Sequence, residues 1–238
     1  MDITLVIPTY NEAGNIPILL DLVFNIFSNE ELDGNIIIVD DNSPDQTWKV
    51  AEDLQDKYPN LKVLRRLEKR GLSSAVLDGF AMANTEIVGV IDADLSHPPE
   101  KIPELVAPII NGEADFTLGS RYIDQGGTQN WPLKRRLSSK IATWAVLGLT
   151  KVKDPMSGFF FLKRDVIKNI ELSPKGFKIG LEILVRGNCD KVIEIPIVFR
   201  DREYGESKLS SNVILDYLLH VSKLYIYKIF KTIRVKTF

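Results

Sequence analysis

Residues 87–99 read Ile87-Val88-Gly89-Val90-Ile91-Asp92-Ala93-Asp94-Leu95-Ser96-His97-Pro98-Pro99. A short apolar run rich in β-branched residues and ended by acids reads as a buried strand that delivers polar groups at its carboxyl end. Alternate residues of an extended segment point the same way, so Asp92 and Asp94 stand side by side. Two adjacent carboxylates repel unless a cation lies between them. Mg²⁺ and Mn²⁺ take oxygen ligands and commonly bridge carboxylates to substrate phosphates. An Asp-x-Asp pair on its own is a weak signal, because single acids at strand ends often cap the helix that follows.

Working outward, residues 3–8, 36–40 and 62–66 repeat the strand signature of 87–92. Helical stretches over 17–27, 44–57 and 72–83 separate them, with Pro17 and Pro44 suited to a first helical turn. That rhythm predicts βα units building a mostly parallel α/β sheet flanked by helices. A further helix over 99–110 leads to a strand over 115–119. Beyond Gly119 the rhythm changes. A Gly126-Gly127 loop precedes a basic amphipathic helix over 132–149, strands follow at 158–162 and 193–199, and a polar loop leads to a long final helix. With no repeat or linker, residues 1–238 are expected to form a single domain. Its nucleotide-binding half is 1–119, its acceptor-facing half 120–210, and 211–238 an amphipathic basic C-terminal helix.

A length of 238 residues, 45% of them hydrophobic, suffices for one sizeable core. The formal net charge of −2 gives no basic field, so no nucleic acid is expected as a partner. Charge is concentrated locally instead. Lys134, Arg135, Arg136 and Lys140 crowd one stretch, and Lys223, Lys228, Lys231, Arg234 and Lys236 follow Asp216 with no intervening acid. Cys189 is the only cysteine, which excludes an internal disulfide and fits a reducing compartment. The start shows no basic leader or cleavage site. Apolar runs over 141–149 and 213–230 are too short or interrupted for the ~20 residues a membrane helix needs. The expectation is a chain without a transmembrane span, lying at most on a membrane surface.

Three polar clusters fall at predicted strand ends, where parallel α/β sheets bind ligands. They are Pro8-Thr9-Tyr10-Asn11-Glu12, Val39-Asp40-Asp41-Asn42-Ser43-Pro44-Asp45 and the Asp92–Pro99 stretch. Together these resemble the signatures of family-2 glycosyltransferases with the GT-A (Rossmann-like) fold. Gly119-Ser120-Arg121-Tyr122, Asp154-Pro155-Met156-Ser157-Gly158-Phe159 and Arg202-Glu203-Tyr204-Gly205-Glu206-Ser207-Lys208 narrow the resemblance to dolichol-phosphate mannose synthases.

The resemblance implies an inverting, metal-dependent transfer of mannose from GDP-mannose to a polyprenyl (dolichyl) phosphate. Pro8, Tyr10, Glu12, Val39 and Asp41 would hold base and ribose. Asp92, Ala93 and Asp94 would hold the diphosphate and the Mg²⁺ or Mn²⁺, with Asp94 the main protein ligand. Arg202 and Lys208 would meet the diphosphate from a loop, Arg202 with a catalytic part. Arg121, Arg135 and Ser139 would grip the acceptor phosphate. Ser96 stands where some relatives carry a metal-ligating Gln, a departure that leaves only weak or water-mediated ligation to its hydroxyl. The resemblance also implies a peripheral enzyme on the cytoplasmic face of a membrane, and it admits a membrane partner subunit.

The chemistry suits those roles. A lipid monophosphate is already an anionic nucleophile near neutral pH and needs cationic placement more than a base. Asp154 is accordingly expected to serve structure, capping a turn before Pro155. His97 and His220 are expected to be supporting residues, Trp48, Trp144 and the Phe159–Phe161 run core, and Trp131 an interfacial anchor. In the final helix, Asp216, His220, Lys223 and Lys231 form a narrow polar stripe. Val213, Ile214, Leu218, Val221, Leu224, Tyr225, Ile229 and Phe230 make a broad apolar face directed at lipid. A UDP-glucose-dependent polyprenyl-phosphate glucosyltransferase is the nearest alternative. A nucleotide-sugar pyrophosphorylase would need a Gly-rich phosphate loop that Pro8–Gly14 lacks, and a non-catalytic nucleotide-binding module would not turn donor over.

Overall fold

The computed structural model describes residues 2–68, 71–129, 131–172, 178–201 and 211–236, and only the backbone of Lys134, 211–214 and 232–236. Strands β1 (Ile3–Thr9), β2 (Gly34–Asp40), β3 (Leu61–Arg65) and β4 (Ile87–Val90) alternate with α1 (Ile16–Asn29), α2 (Thr47–Asp53) and α3 (Leu72–Met82). There follow α4 (Ile102–Ile110), β5 (Phe116–Ser120), β6 (Gly127–Thr128), α5 (Leu133–Trp144) and β7 (Phe160–Lys163). The chain closes with α6 (Ile179–Arg186), β8 (Val192–Pro196), β9 (Val198–Phe199) and α7 (Ser211–Lys236).

Seven strands form one sheet in the order β3-β2-β1-β4-β7-β5-β8, and β6 pairs with β9 beside it. All pairs are parallel except β7, which runs antiparallel to β4 and β5. The mostly parallel α/β sheet expected from the sequence is therefore present.

Two-residue periodicity builds the two layers. Ile3, Leu5, Ile7, Ile36, Ile38, Phe159 and Phe161 face α1 and α4, while Val6, Ile37, Val39, Val88, Val90, Phe160 and Leu162 face α3 and α6. The Phe159–Phe161 run thus divides between both cores. Gly89 lies opposite Phe161 in the register, and a Cβ there would come within 2.3 Å of the ring. Packing across the sheet requires glycine at that point.

Several expected boundaries move for local reasons. The helix expected over 44–57 starts only at Thr47, because Gln46 before it lies in the left-handed region (φ 61°) and Asp45 closes a turn by accepting from the Thr47 N–H (3.0 Å) and hydroxyl (2.6 Å). The strand expected over 193–199 breaks at Ile197. The Ile197 N–H still donates to Ser120 O at 3.0 Å, the last bond of the β5–β8 ladder, and Val198 and Phe199 pair instead with β6. The helix over 132–149 ends at Trp144, and α6 is an element the sequence reading did not contain.

A third cluster of Val146, Leu149, Met156, Leu181, Val221 and Leu224 seats α7. Tyr217 and Tyr225 donate to the carbonyls of Ala142 (2.6 Å) and Ala145 (3.0 Å), and Lys228 donates to that of Gly148 (2.8 Å). This corrects the expected division of α7. Leu224 is 0% exposed and Val221 is buried, so part of the face expected at lipid packs on protein, while His220, expected as a supporting residue, lies buried with Nε2 3.3 Å from Glu182. Trp144, expected in the core, is 75% exposed. It joins Leu133, Leu137 and Ile141 in an apolar face on α5, and Leu218, Ile226, Ile229 and Phe230 make another on α7. No helix among the described residues is long and apolar enough to cross a membrane.

Candidate active site

The strand order reverses between β1 and β4, and open α/β sheets bind ligands in the crevice such a reversal makes. Thr9 and Asp40 face each other at the ends of β1 and β2. Asp40 is fully buried and accepts from the Thr9 hydroxyl (2.8 Å), the Ser43 N–H (2.8 Å) and the Ser43 hydroxyl (2.5 Å). That acid holds the loop and has no spare function. Its neighbour Asp41 differs: Arg66 grips it through Nε (2.7 Å) and Nη2, and the Gly71 N–H donates to its other oxygen at 2.7 Å. Arg66 is buried, and its Nη1 also donates to Ser74 (2.9 Å) and Asp78 (3.1 Å).

Around this floor, Asn11 adopts φ 62° and donates its N–H to Ser43 Oγ at 3.0 Å. The Glu12 N–H donates to Thr47 Oγ1 (2.9 Å), and the Glu12 carboxylate accepts from Asn15 (2.7 Å). Pro8 sits beside the buried Val39, and Pro8, Tyr10 and Glu12 stay half-buried at the rim.

Past β4, Asp94 turns back to accept the Ser96 N–H at 3.1 Å, with Leu95 in the left-handed region at φ 59°. A non-glycine residue in that conformation is uncommon and strained, as residues at functional loops often are. Ala93 is buried beneath. Asp92 packs directly on Gly158, where a Cβ would lie 2.7 Å from Oδ2. His97 Nδ1 lies 3.6 Å from that oxygen. Its ring packs on Phe159 and edge-on to Phe199, with centroids 5.5 and 4.9 Å away. Burial pushes the His97 pKa down, against the pull of Asp92 and Asp94, so the imidazole is neutral. Two buried polar atoms here make no hydrogen bond, Ser96 Oγ and His97 Nδ1. Among the described residues no three His, Cys, Asp or Glu side chains converge as a metal cluster. A cation held here would rest on two carboxylates, with oxygens from a hydroxyl, water or substrate completing its shell, the arrangement Mg²⁺ and its congeners favour.

The facing wall is cationic. Arg121 donates through its backbone N–H (2.9 Å) and Nε (2.7 Å) to Asp154 Oδ2, and through Nη2 (2.7 Å) to Oδ1. Asp154 is fully buried and held in turn by Glu194, which accepts from the N–H groups of Lys153 (2.9 Å) and Asp154 (3.1 Å). Its partner is the arginine, where the sequence led us to expect the capping of a turn. Arg135 pairs with Asp201 and stacks over Trp131 at 4.4 Å, and Arg121 reaches the same ring at 5.3 Å. Trp131, expected as an interfacial anchor, instead sits between the two guanidinium groups with its Nε1 buried. Ser139 lies one turn from Arg135 on α5 and accepts from the Tyr122 hydroxyl at 2.8 Å. The walls join where the Arg200 N–H donates to Ser96 O at 3.0 Å.

Asp92, Asp94, Arg121 and Asp154 all lie close enough to His97 to act on its charge. Arg135 and Ser139 extend the cationic side. Arg202 and Lys208 lie outside the described residues. Sequence reading missed Arg66, which holds Asp41, and Tyr122, which donates to Ser139. Arg66 had one signal, a basic residue at a strand end beside two acidic ones.

Fold and site together define a GT-A-type glycosyltransferase, and the glycosyl transferase family 2 model matches residues 4–171, so the chain belongs to that family. Within it, the chain stands among the dolichol-phosphate mannosyltransferases. It is 45% identical to the one from Pyrococcus furiosus over 228 residues, covering 94% of this chain and 64% of that protein. To the one from Saccharomyces cerevisiae it is 37% identical, covering 96% of this chain and 88% of that protein. Among solved structures, glucosyl-3-phosphoglycerate synthase from Mycobacterium tuberculosis, with Mn²⁺, UDP-glucose and phosphoglyceric acid, superposes with a TM-score of 0.68. It covers 93% of this chain and 80% of that one at 19% identity, a likeness of fold.

Proposed function

We propose that the enzyme transfers mannose from GDP-mannose to a polyprenyl (dolichyl) phosphate, releasing GDP. The observation that carries this reading is the meeting of an acid pair and a cationic wall around neutral His97, in a chain whose relatives are dolichol-phosphate mannosyltransferases. The acid side suits a cation and a diphosphate, and the basic side suits a phosphate monoester.

In this reading Pro8, Tyr10, Glu12, Val39 and Asp41 form the nucleoside pocket, and Arg66 holds Asp41 in place. Asp94, Asp92 and the unpartnered Ser96 hydroxyl fit Mg²⁺ or Mn²⁺, which when bound would neutralise the departing diphosphate. Ala93 supports the diphosphate from the same turn, and Arg202 and Lys208 add charge from the 202–210 stretch. Arg121, Arg135 and Ser139 orient the acceptor. One phosphate oxygen attacks the anomeric carbon opposite the leaving diphosphate: a carbon–oxygen bond to the acceptor forms as that to GDP breaks, with inversion. The monoester is anionic at neutral pH, so no residue need remove a proton.

Residues 1–119 are the donor half and 120–210 the acceptor half of one domain, with α7 completing it. The apolar faces of α5 and α7, beside Lys140, Lys223 and Lys231, rest on the membrane that holds the lipid. Each basic residue near anionic lipid contributes roughly 1 kcal/mol. In this reading the enzyme lies peripherally on the cytoplasmic face, with or without a membrane partner subunit.

A panel of radiolabelled GDP-mannose, UDP-glucose and UDP-N-acetylglucosamine with short polyprenyl phosphates tests the reading. Lipid-linked label should come from GDP-mannose and vanish with chelator. Label from UDP-glucose alone would transfer the assignment to a glucosyltransferase.

A further inference from the structure

Both arginines of the acceptor wall already face a carboxylate. Arg121 is held by both oxygens of Asp154, and Arg135 pairs with Asp201. A phosphate monoester carrying between one and two negative charges therefore meets a wall whose arginine charge is offset. One further cation stands there. Lys178, half-buried at the start of α6, is within electrostatic reach of Arg121, Asp92 and Asp154. Among the described residues it makes no ion pair, and its only hydrogen-bond acceptor is the carbonyl of Met156 at 2.9 Å. An ammonium has three protons to donate, so two remain. Enclosing a cation without a direct ion pair is costly unless something completes its shell.

We propose that Lys178 is a third phosphate-binding residue of the acceptor subsite, supplying the uncompensated charge that the two arginines lack. This rests on the polyprenyl-phosphate reading and adds a residue to it. Met156 O, in the turn after Asp154, takes one of the ammonium's protons and leaves the others for the monoester oxygens. Burial and the nearby Arg121 both push the Lys178 pKa down, and a bound dianion reverses that trend by stabilising the charged form.

The test compares Lys178→Gln, which keeps a donor to Met156 O but no charge, with Lys178→Arg, which keeps the charge. Steady-state kinetics with a short polyprenyl monophosphate and GDP-mannose, each varied in turn, are read beside calorimetric GDP affinity and thermal melting. Lys178→Gln should raise KM for the lipid phosphate about tenfold or more. GDP affinity and melting should stay near wild type, and Lys178→Arg should recover most of the loss. An unchanged lipid KM in folded Lys178→Gln, or a fall in GDP affinity matching the loss of lipid use, overturns the assignment while mannosyl transfer by the wild type stands. Should Lys178→Gln fail to fold, a folded Lys178→Arg with wild-type lipid KM supports it, and one with KM raised as far as in Arg135→Ala contradicts it. A wild-type enzyme that neither binds nor mannosylates the lipid removes the functional reading and this inference together.

Discussion

The two sides of this site, proposed to hold the donor and the acceptor, are built by opposite means. On the donor side the acids descend directly from strand ends, and internal partners fix several of them: Asp40 by Thr9 and Ser43, Asp41 by Arg66, Asp45 by Thr47. The acceptor side draws Arg121, Trp131, Arg135 and Ser139 from a strand end, a loop and one helix, and neutralises its arginines one by one. A rigid sheet presets the first. The second depends on helices whose outer faces are apolar and exposed. Under the proposed function, preorganisation is concentrated where the leaving group would depart, and adaptability where a lipid would enter.

The contrast can be broken at its most rigid point. Asp94→Ala should lower turnover on the order of 10³-fold or more, as loss of a charge-stabilising element typically does, with the melting temperature little changed. Initial rates with saturating Mn²⁺ check this, and near-wild-type turnover would remove the acid pair from the chemistry.

Gly158 sharpens the same side. A Cβ there would press on Asp92 at 2.7 Å from Oδ2, so Gly158→Ala should displace the carboxylate. Misplacement of a catalytic group by about an ångström costs on the order of 10²-fold. Here kcat should fall more than melting temperature, and the two are measured on one preparation.

The smallest effect belongs to the adaptable side. Leu137→Glu with Phe230→Glu, both on exposed faces, should cut partitioning onto anionic vesicles about tenfold and leave melting nearly unchanged. Leu224→Glu should do the reverse, because it places a charge in the cluster that seats α7. Flotation and melting of the three proteins separate the surfaces.

How far the sequence could be read follows the same division. The sheet was legible because β1, β2 and β4 are short continuous apolar runs rich in β-branched residues and acids follow them. Helix α6 was not, because Ile179–Arg186 spans barely two turns and reads equally as a buried strand. Arg66 could be located but not partnered, since its contact with Asp41 spans 25 residues. In α7, Leu218 and Leu224 look alike in sequence. Periodicity separates faces of a helix but does not say which face meets protein and which meets solvent or lipid.

The division of labour itself is tested most directly by Arg135→Ala, measured two ways on one preparation. Calorimetric GDP affinity in the presence of Mn²⁺ should remain within about twofold of wild type, while KM for a short polyprenyl phosphate rises about tenfold or more. Equal losses in both would contradict a site whose two walls serve different substrates.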